Sequence, residues 1–418
     1  MRRTIDFLSK PYTEELLNRF VSYAKVDTQS NRHLDETPTT KTQWDLARAL
    51  ESELKAIGVP EVTLNEHCYI IARIPATRGK EKVPCIGLMA HMDTASDVSG
   101  SGVRPRVIRN YDGKTVRLSD SYELNPAEFP DLAEHIDDTI VVTDGSTLLG
   151  ADDKAGVSEI MTAIAWILQH SKIEHGPIDI YFTPDEETGK GMDRFPLSEA
   201  RAVACYTLDG GKAPEVEAEC FTAYAVKAEF IGKVIHIGAA RGKLANAVAM
   251  AASFIGMLPR SESPEATDGW YGYYCPIEVH GNLDHAVAEI YLRDFSSERM
   301  KDRIAALKTF ASTVEAQYPA GRVVLDIKQQ YLNMKQKLEA RPEVLERLNR
   351  AIATAGFDPA MKPIRGGTDG SRLTEMGIPT PNLFTGGYNY HSRFEWASLS
   401  EMALAVETVV NLVRIWAE

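Results

Sequence analysis

No stretch of the sequence approaches the run of about 18 apolar residues that a membrane-crossing helix needs. Cysteine is sparse and unpatterned. Cys68, Cys85, Cys205, Cys220 and Cys275 are odd in number and never spaced as CxxC, which argues against a disulfide frame or a thiolate metal site. Such residues read as small buried hydrophobes in a reducing compartment. Positive charge is also short: 46 Lys and Arg stand against 59 Asp and Glu, a net charge of −13. That balance argues against a nucleic-acid partner and against an anionic membrane surface. Behind the two arginines of MRRTIDFLSKPYTEELL there is no apolar run of roughly 7–15 residues, so no secretory signal is expected. Internal repeats and low-complexity tracts are missing as well. A cytoplasmic location is the expectation.

What remains is an ordinary globular composition, 44% hydrophobic and 25% charged, over 418 residues, long enough to predict two domains. Through residue 215 helical and strand patterns alternate. TEELLNRFVSYAKV puts Leu16, Leu17, Phe20, Val21 and Ala24 on one helical face, and VPCIGLMA (83–90) reads as a strand buried on both faces. KAGVSEIMTAIAWILQHS carries Val157, Ile160, Met161, Ile164, Ile167 and Leu168 at core-helix spacing. IDIYFTPDEETG and AVACYTLDGG then read as strands that run into polar loops. Strand–helix–strand alternation predicts an α/β fold, a mostly parallel sheet with helices on both faces.

The pattern changes near residue 216. In FTAYAVKAEFIG, Val226, Ala228 and Phe230 face one way and Lys227 and Glu229 the other, the period of a half-exposed strand. A helix over 244–258 follows, then two strands (YGYYCPIEVHG and HAVAEIYLRDF). A second helix with Met300, Ile304, Leu307, Phe310 and Val314 leads to the strand RVVLDIKQQY. The order β-α-β-β-α-β is that of a ferredoxin-like unit. From 331 the α/β pattern resumes, with a helix PEVLERLNRAIATAG ending at Gly356. The expected organisation is a main domain of residues 1–215 and 331–418, with residues 216–330 inserted.

Ligands of an open parallel sheet bind at the carboxyl ends of its strands. There the sequence collects its histidines and acids: His91 and Asp93 in HMD, Asp152 and Asp153 in LLGADDKAG, Asp185, Glu186 and Glu187 in PDEE, Asp209, and His391 in PNLFTGGYNYHS. So many carboxylates in one crevice repel each other unless divalent cations neutralise them. Two histidines and several carboxylates without a thiolate suit zinc, or manganese or cobalt. Two ions some 3.5–4 Å apart require a shared carboxylate, for which Asp152 is the candidate. Each ion then takes one histidine and one further acid. Of Glu186 and Glu187, one can ligate while the other serves as general base for the attacking water.

At family order and spacing, HMDT, TLLGADDKAG, FTPDEETGKG, DGG, KPIRGGTDGSRL and FTGGYNYHS run essentially end to end. On these motifs the sequence resembles the dinuclear zinc aminopeptidase, carboxypeptidase and aminoacylase family, and within it the tripeptide-aminopeptidase branch. The resemblance implies two zinc ions per subunit, with manganese or cobalt as substitutes. His91 would bind one ion with Asp93 orienting its imidazole, and Asp152 would bridge the pair with a cis peptide to Asp153. Glu186 would be the general base, Glu187 and His391 ligands of the second ion, and Asp209 would complete the first. The inserted domain would be a lid and a dimerisation surface, making a homodimer. In VIHIGAARGKLANA, His236 would stabilise the oxyanion, with Asn246 in the same role. Here Ile237-Gly238 follows the histidine where relatives have Pro-Gly. Arg365 and Arg293 are candidates to grip the substrate carboxylate. The implied activity releases the N-terminal residue of small peptides, tripeptides in particular. An amidase or desuccinylase acting on N-acyl amino acids would share the same centre. A catalytically inactive peptide-binding protein is a more remote alternative, because Glu186 and every ligand position are filled.

Overall fold

A computed structural model describes residues 3–418. The chain divides into two compact units. The first runs to Ala218 and resumes over Lys337–Lys362 and Thr368–Glu418; the second comprises Glu219–Gln336 and Pro363–Gly367. The sequence pattern assigns that last short segment, which carries Arg365, to the main domain. The backbone packs it with the insert.

The first unit is organised by an eight-stranded sheet. Its spatial order is Glu61–Leu64, Ile70–Ile74, Ile178–Thr183, Ile86–His91, Ala204–Gly210, Asn382–Phe384, Glu215–Cys220, Ala360–Ile364. The four strands from Ile178–Thr183 to Asn382–Phe384 are mutually parallel, so their carboxyl ends share one edge. Antiparallel strands flank them. Alternation of side chains explains why these strands are apolar throughout. Leu88, Ala90, Ile180, Phe182, Tyr206 and Leu208 enter one core, and Met89, Tyr181 and Cys205 enter another on the opposite face. Helices Thr13–Ala24, Gln43–Ala56, Ala151–Gln169 and Leu399–Trp416 cover the first face with Leu16, Phe20, Leu50, Ile160, Ile164 and Leu404. Each fully buried side chain of this kind contributes about 1.5–3 kcal/mol. The opposite face is covered more lightly, by helix Asp369–Met376 and residues around Met192 and Phe195.

One detail differs from the expected pattern. Asp152 and Asp153 do not follow a strand of the large sheet. The preceding strand, Ile140–Val142, belongs to a separate four-stranded sheet with Arg106–Ile108, Trp396–Ser398 and Gly387–Tyr388. The pair instead stands in the first turn of helix Ala151–Gln169.

The second unit has its own antiparallel sheet, ordered Tyr273–Gly281, His285–Asp294, Thr222–Ile231, Arg322–Tyr331. Helices Ala247–Gly256 and Ser297–Gln317 pack on it. Met250, Phe254, Met300, Leu307 and Val314 bury themselves against Val226, Phe230, Ile290 and Leu292. This is the ferredoxin-like arrangement. The first of these helices starts later than its apolar pattern suggests, because the Asn246 side chain accepts the N–H groups of Val248 (3.0 Å) and Ala249 (3.3 Å) and so caps it.

Candidate metal centre

Parallel pairing places the first ligands. Met89 lies opposite Thr207, and two residues further along each strand stand His91 and Asp209, with His91 Nε2 3.5 Å from Asp209 Oδ1. On the other side His91 pairs with Thr183, after which the chain turns through Pro184 and Asp185 into the short 3-10 turn Glu186–Thr188. Asp152 reaches the same point from the helix start. Its Oδ1 is 2.9 Å from His91 Nε2 and its Oδ2 is 3.1 Å from His391 Nε2. Glu187 Oε2 is likewise 3.1 Å from His391 Nε2. Two triads result, His91–Asp152–Asp209 and Asp152–Glu187–His391. In each, the ligand atoms lie within 4.8 Å of one another. One carboxylate is common to both.

The surroundings orient these groups. His91 Nδ1 faces the Asp93 carbonyl oxygen at 3.1 Å and Asp93 Oδ1 at 3.3 Å, which directs the Nδ1 proton there and leaves Nε2 as a lone-pair donor. Asp93 also accepts the backbone N–H groups of Glu186 (2.9 Å) and Glu187 (3.2 Å), so one buried carboxylate aligns a histidine and the two glutamates. Asp153 takes part in neither triad. It accepts the His91 N–H (3.1 Å) and the Gly156 N–H (3.2 Å) and so ties the helix start to the strand end. Gly156 is required there, because a Cβ would collide with the Leu208 carbonyl oxygen and crowd Asp153. The two adjacent aspartates thus divide their tasks: one faces the centre and the other anchors it. The peptide between them is cis.

Electrostatics agree with a centre built for cations. Among the described residues, the positively chargeable partners of Asp152, Glu187 and Asp209 are the two imidazoles alone. Burial, together with the Asp152 charge, pushes Glu187 up to about 8. Burial pushes Asp209 up to about 6. Glu186 is raised well above the usual carboxyl range by burial, and by Asp209, Asp369 and Glu187. For His91 burial favours the neutral ring, but Asp209, Asp152 and Asp93 outweigh it and hold its pKa well above the ordinary value. Burial likewise opposes a charged His391, yet hydrogen bonds to Asp152 and Glu187 lift it to about 12. Burial would also raise Asp152, but its bonds to His391 and His91 prevail and lower it. Glu187 Oε1 is buried with no hydrogen-bond partner among the described residues. An acceptor cluster with an orphaned oxygen and no lysine or arginine fits a pair of divalent cations. His91, Asp152 and Asp209 would hold one of them, and Asp152, Glu187 and His391 the other.

Fold and donor set together suit a centre for two metal ions about a shared carboxylate. The comparisons agree. The profile of peptidase family M20/M25/M40 matches residues 143–415, and the chain belongs to that family. A protein named peptidase T from Clostridium perfringens (strain 13 / Type A) is 44% identical over 400 residues, covering 96% of this chain and 98% of that one. Peptidase T of Geobacillus sp. (strain WCH70) is 43% identical over 404 residues, covering 96% and 98%. The crystal structure of aminopeptidase PepT from Bacillus cereus ATCC 10987 superposes with a TM-score of 0.74 at 26% identity, covering 97% of this chain and 99% of that one.

Of the residues singled out in the sequence, His91, Asp93, Asp152, Glu186, Glu187, Asp209 and His391 gather in the first unit. The other four belong to the second. His236 lies in an exposed turn, where its Nδ1 accepts the Gly238 N–H at 3.2 Å. Asn246 is the helix cap already described. Arg293 is buried, donates to the carbonyl oxygens of Leu292 (3.0 Å) and Tyr224 (3.4 Å) and stacks on Tyr291 and Tyr331. Arg365 donates to the carbonyl oxygens of Gly269, Tyr271 and Thr267 and to the Thr267 hydroxyl, at 2.8–3.1 Å. Its guanidinium ties a loop within the second unit.

Sequence reasoning passed over three acids. Asp97 Oδ2 stands 3.4 Å from His391 Nδ1 and orients that ring as Asp93 orients the other. Asp369, in the GGTDG motif, is buried, its Oδ2 has no hydrogen-bond partner among the described residues, and burial pushes it up to about 7. Glu395 holds the backbone around Asp152. The motif GGTDG was a signal for Asp369; Asp97 and Glu395 have none.

Proposed function

We propose that the protein is a metal-dependent aminopeptidase that removes the N-terminal residue from tripeptides. Two zinc ions would be held by His91, Asp152 and Asp209 and by Asp152, Glu187 and His391. The observation that carries this reading is the division of the Asp152 carboxylate, one oxygen toward each histidine-containing triad. Similarity to the peptidase T proteins over nearly the whole chain supports the substrate class. Imidazole and carboxylate donors, with all five cysteines outside the triads, support zinc over softer-ligand metals. Such a pair supplies Lewis acidity to the scissile carbonyl and acidifies the attacking water.

The chain's own residues do the rest. Glu186 takes the proton from the attacking water and returns it to the leaving amine; a raised carboxyl pKa suits both halves of that task. Asp93 holds the Glu186 backbone in place through the 2.9 Å hydrogen bond. His236, from the inserted unit, would stabilise the developing oxyanion. The five cysteines form no disulfide among the described residues, consistent with a cytoplasmic enzyme, and no helix among those residues is long and apolar enough to cross a membrane. A homodimer is supported by the second unit. Tyr273–Gly281 is an edge strand, and beside it an apolar groove of about 560 Å³ is lined by Val248, Ala251, Ile255 and Val279. Sedimentation at working concentration tests that state, and a monomer would rule it out.

The deciding experiment supplies the zinc-loaded protein with an unblocked tripeptide, its N-acetylated form and the matching dipeptide, following release of the N-terminal residue. Cleavage confined to the unblocked tripeptide, abolished in Glu186→Ala with metal retained, is the expected result. Preference for the acetylated peptide would move the enzyme to the amidase reading.

A further inference from the structure

The turn that carries Asp152 is gripped from a distant part of the chain. Glu395 is buried, and its carboxylate accepts three backbone N–H groups: Leu149 (2.6 Å) and Gly150 (2.8 Å) on Oε2, and Asp152 (3.1 Å) on Oε1. The first N–H groups of any helix lack intrahelical acceptors. Here the cap position is Gly150, at φ 78°, which has no side chain to supply one. Asp152 itself is out of helical conformation, at φ −84° and ψ 101°, so local helical bonding does not fix it. The acceptor therefore comes from 245 residues away, and a carboxylate is favoured there by the helix dipole as well as by the bonds themselves.

Glu395 lies four residues after His391 in the same loop. Opposite it, Asp153 ties the same turn to the His91 backbone. The shared ligand is thus held to the first-ion histidine by Asp153 and to the segment bearing the second-ion histidine by Glu395. Among the described residues, no other side chain binds the 149–152 backbone to that segment.

We infer that Glu395 is a positioning residue for the two-ion centre: by holding the backbone of Leu149, Gly150 and Asp152, it sets the bridging carboxylate against His391 so that the second ion position can form. It belongs to neither triad. The inference rests on the two-ion reading proposed above.

The test is metal affinity of the apoprotein, measured by zinc titration against a chromophoric chelator, alongside thermal melting. The parent, Glu395→Gln and Glu395→Asp are compared. Glutamine keeps the length and one acceptor oxygen but turns an NH₂ toward one of the N–H groups; aspartate keeps the charge and falls short. The parent should take two ions. Both variants should fold, bind the weaker ion about 10–100-fold less tightly, and change less at the stronger one. Should Glu395→Gln fold poorly, Glu395→Asp carries the same readout. A folded variant whose two affinities match the parent's overturns the inference, as does one that merely melts lower with both affinities intact. A parent that binds no ions overturns the two-ion reading and this inference with it.

Discussion

The two halves of the metal centre share Asp152 and little else. His91 and Asp209 stand at the ends of neighbouring parallel strands, deep in the sheet, and the His91 side chain is 2% exposed. Glu187 sits in a short turn, and His391 in a loop where its φ is 58° and its side chain is 42% exposed. A left-handed conformation in a non-glycine residue stores about 1–3 kcal/mol and persists only where the surroundings enforce it. For His391 the enforcement is visible. Tyr390 and Thr385 donate to the Gly210 carbonyl oxygen, at 2.8 and 2.6 Å, beside Asp209. One proposed ion position therefore rests on the sheet and the other on loops. The first should form early and hold its ion; the second should load last and empty first.

The shared carboxylate gives the harshest test of this contrast. Asp152→Ala removes a ligand from both triads, so elemental analysis should find neither ion at stoichiometric level, and turnover should vanish. A folded variant that keeps one tightly bound ion would mean that the strand-borne residues suffice alone. Next in size is Glu186→Ala, which leaves both triads intact. Its kcat should fall by about 10²–10⁴ with two ions still bound, because only proton transfer is lost. Loss of an ion in that variant would make Glu186 a ligand and break the division of labour between the adjacent glutamates. A smaller and asymmetric effect separates the histidines: His391→Ala should retain one ion and His91→Ala should retain less. Equal losses would erase the distinction between sheet and loops.

Much of this centre is legible in the sequence because of how a parallel sheet works. IGLMAH, IDIYFT and ACYTLDG announce their strands by continuous apolar character. An acid or histidine where such a run stops has one place to go, the carboxyl edge. What the sequence hides is contact at long range. Glu395 reads as an acid in an aromatic segment, and nothing near it reveals that its partners are backbone groups at 149–152. Arg365 reads as a candidate to grip a substrate carboxylate; its acceptors lie at Thr267, Gly269 and Tyr271, nearly a hundred residues earlier. Asn246 reads as a polar residue within an active-site motif, and the helix start claims its side chain. Arg365 and Asn246 stand out in the sequence and Glu395 does not, but the partner of each is found only by folding the chain.

Glu159 sharpens the comparison from outside the centre. It lies on the same helix as Asp152, fully buried, and neither carboxylate oxygen has a hydrogen-bond partner among the described residues. With no cation or donor to favour ionisation, burial alone drives its pKa well above the ordinary value of 4.5. The folded protein keeps this proton where the unfolded chain releases it. Below the unfolded value both states are protonated and the group has no pH-dependent effect. As pH rises past that value the unfolded state binds fewer protons than the folded one, and stability falls until the folded pKa is reached. Glu159→Gln removes this term without removing the side chain. Its melting temperature relative to the parent should therefore climb over the pH range above the ordinary carboxyl value and stay level in more acidic solution. Both proteins share every metal ligand, so titrations at the centre cancel in the difference. A difference that stays flat across that range would mean that Glu159 is ionised in the fold. An unseen cation partner would then have to be sought for it, as for the acids of the two triads.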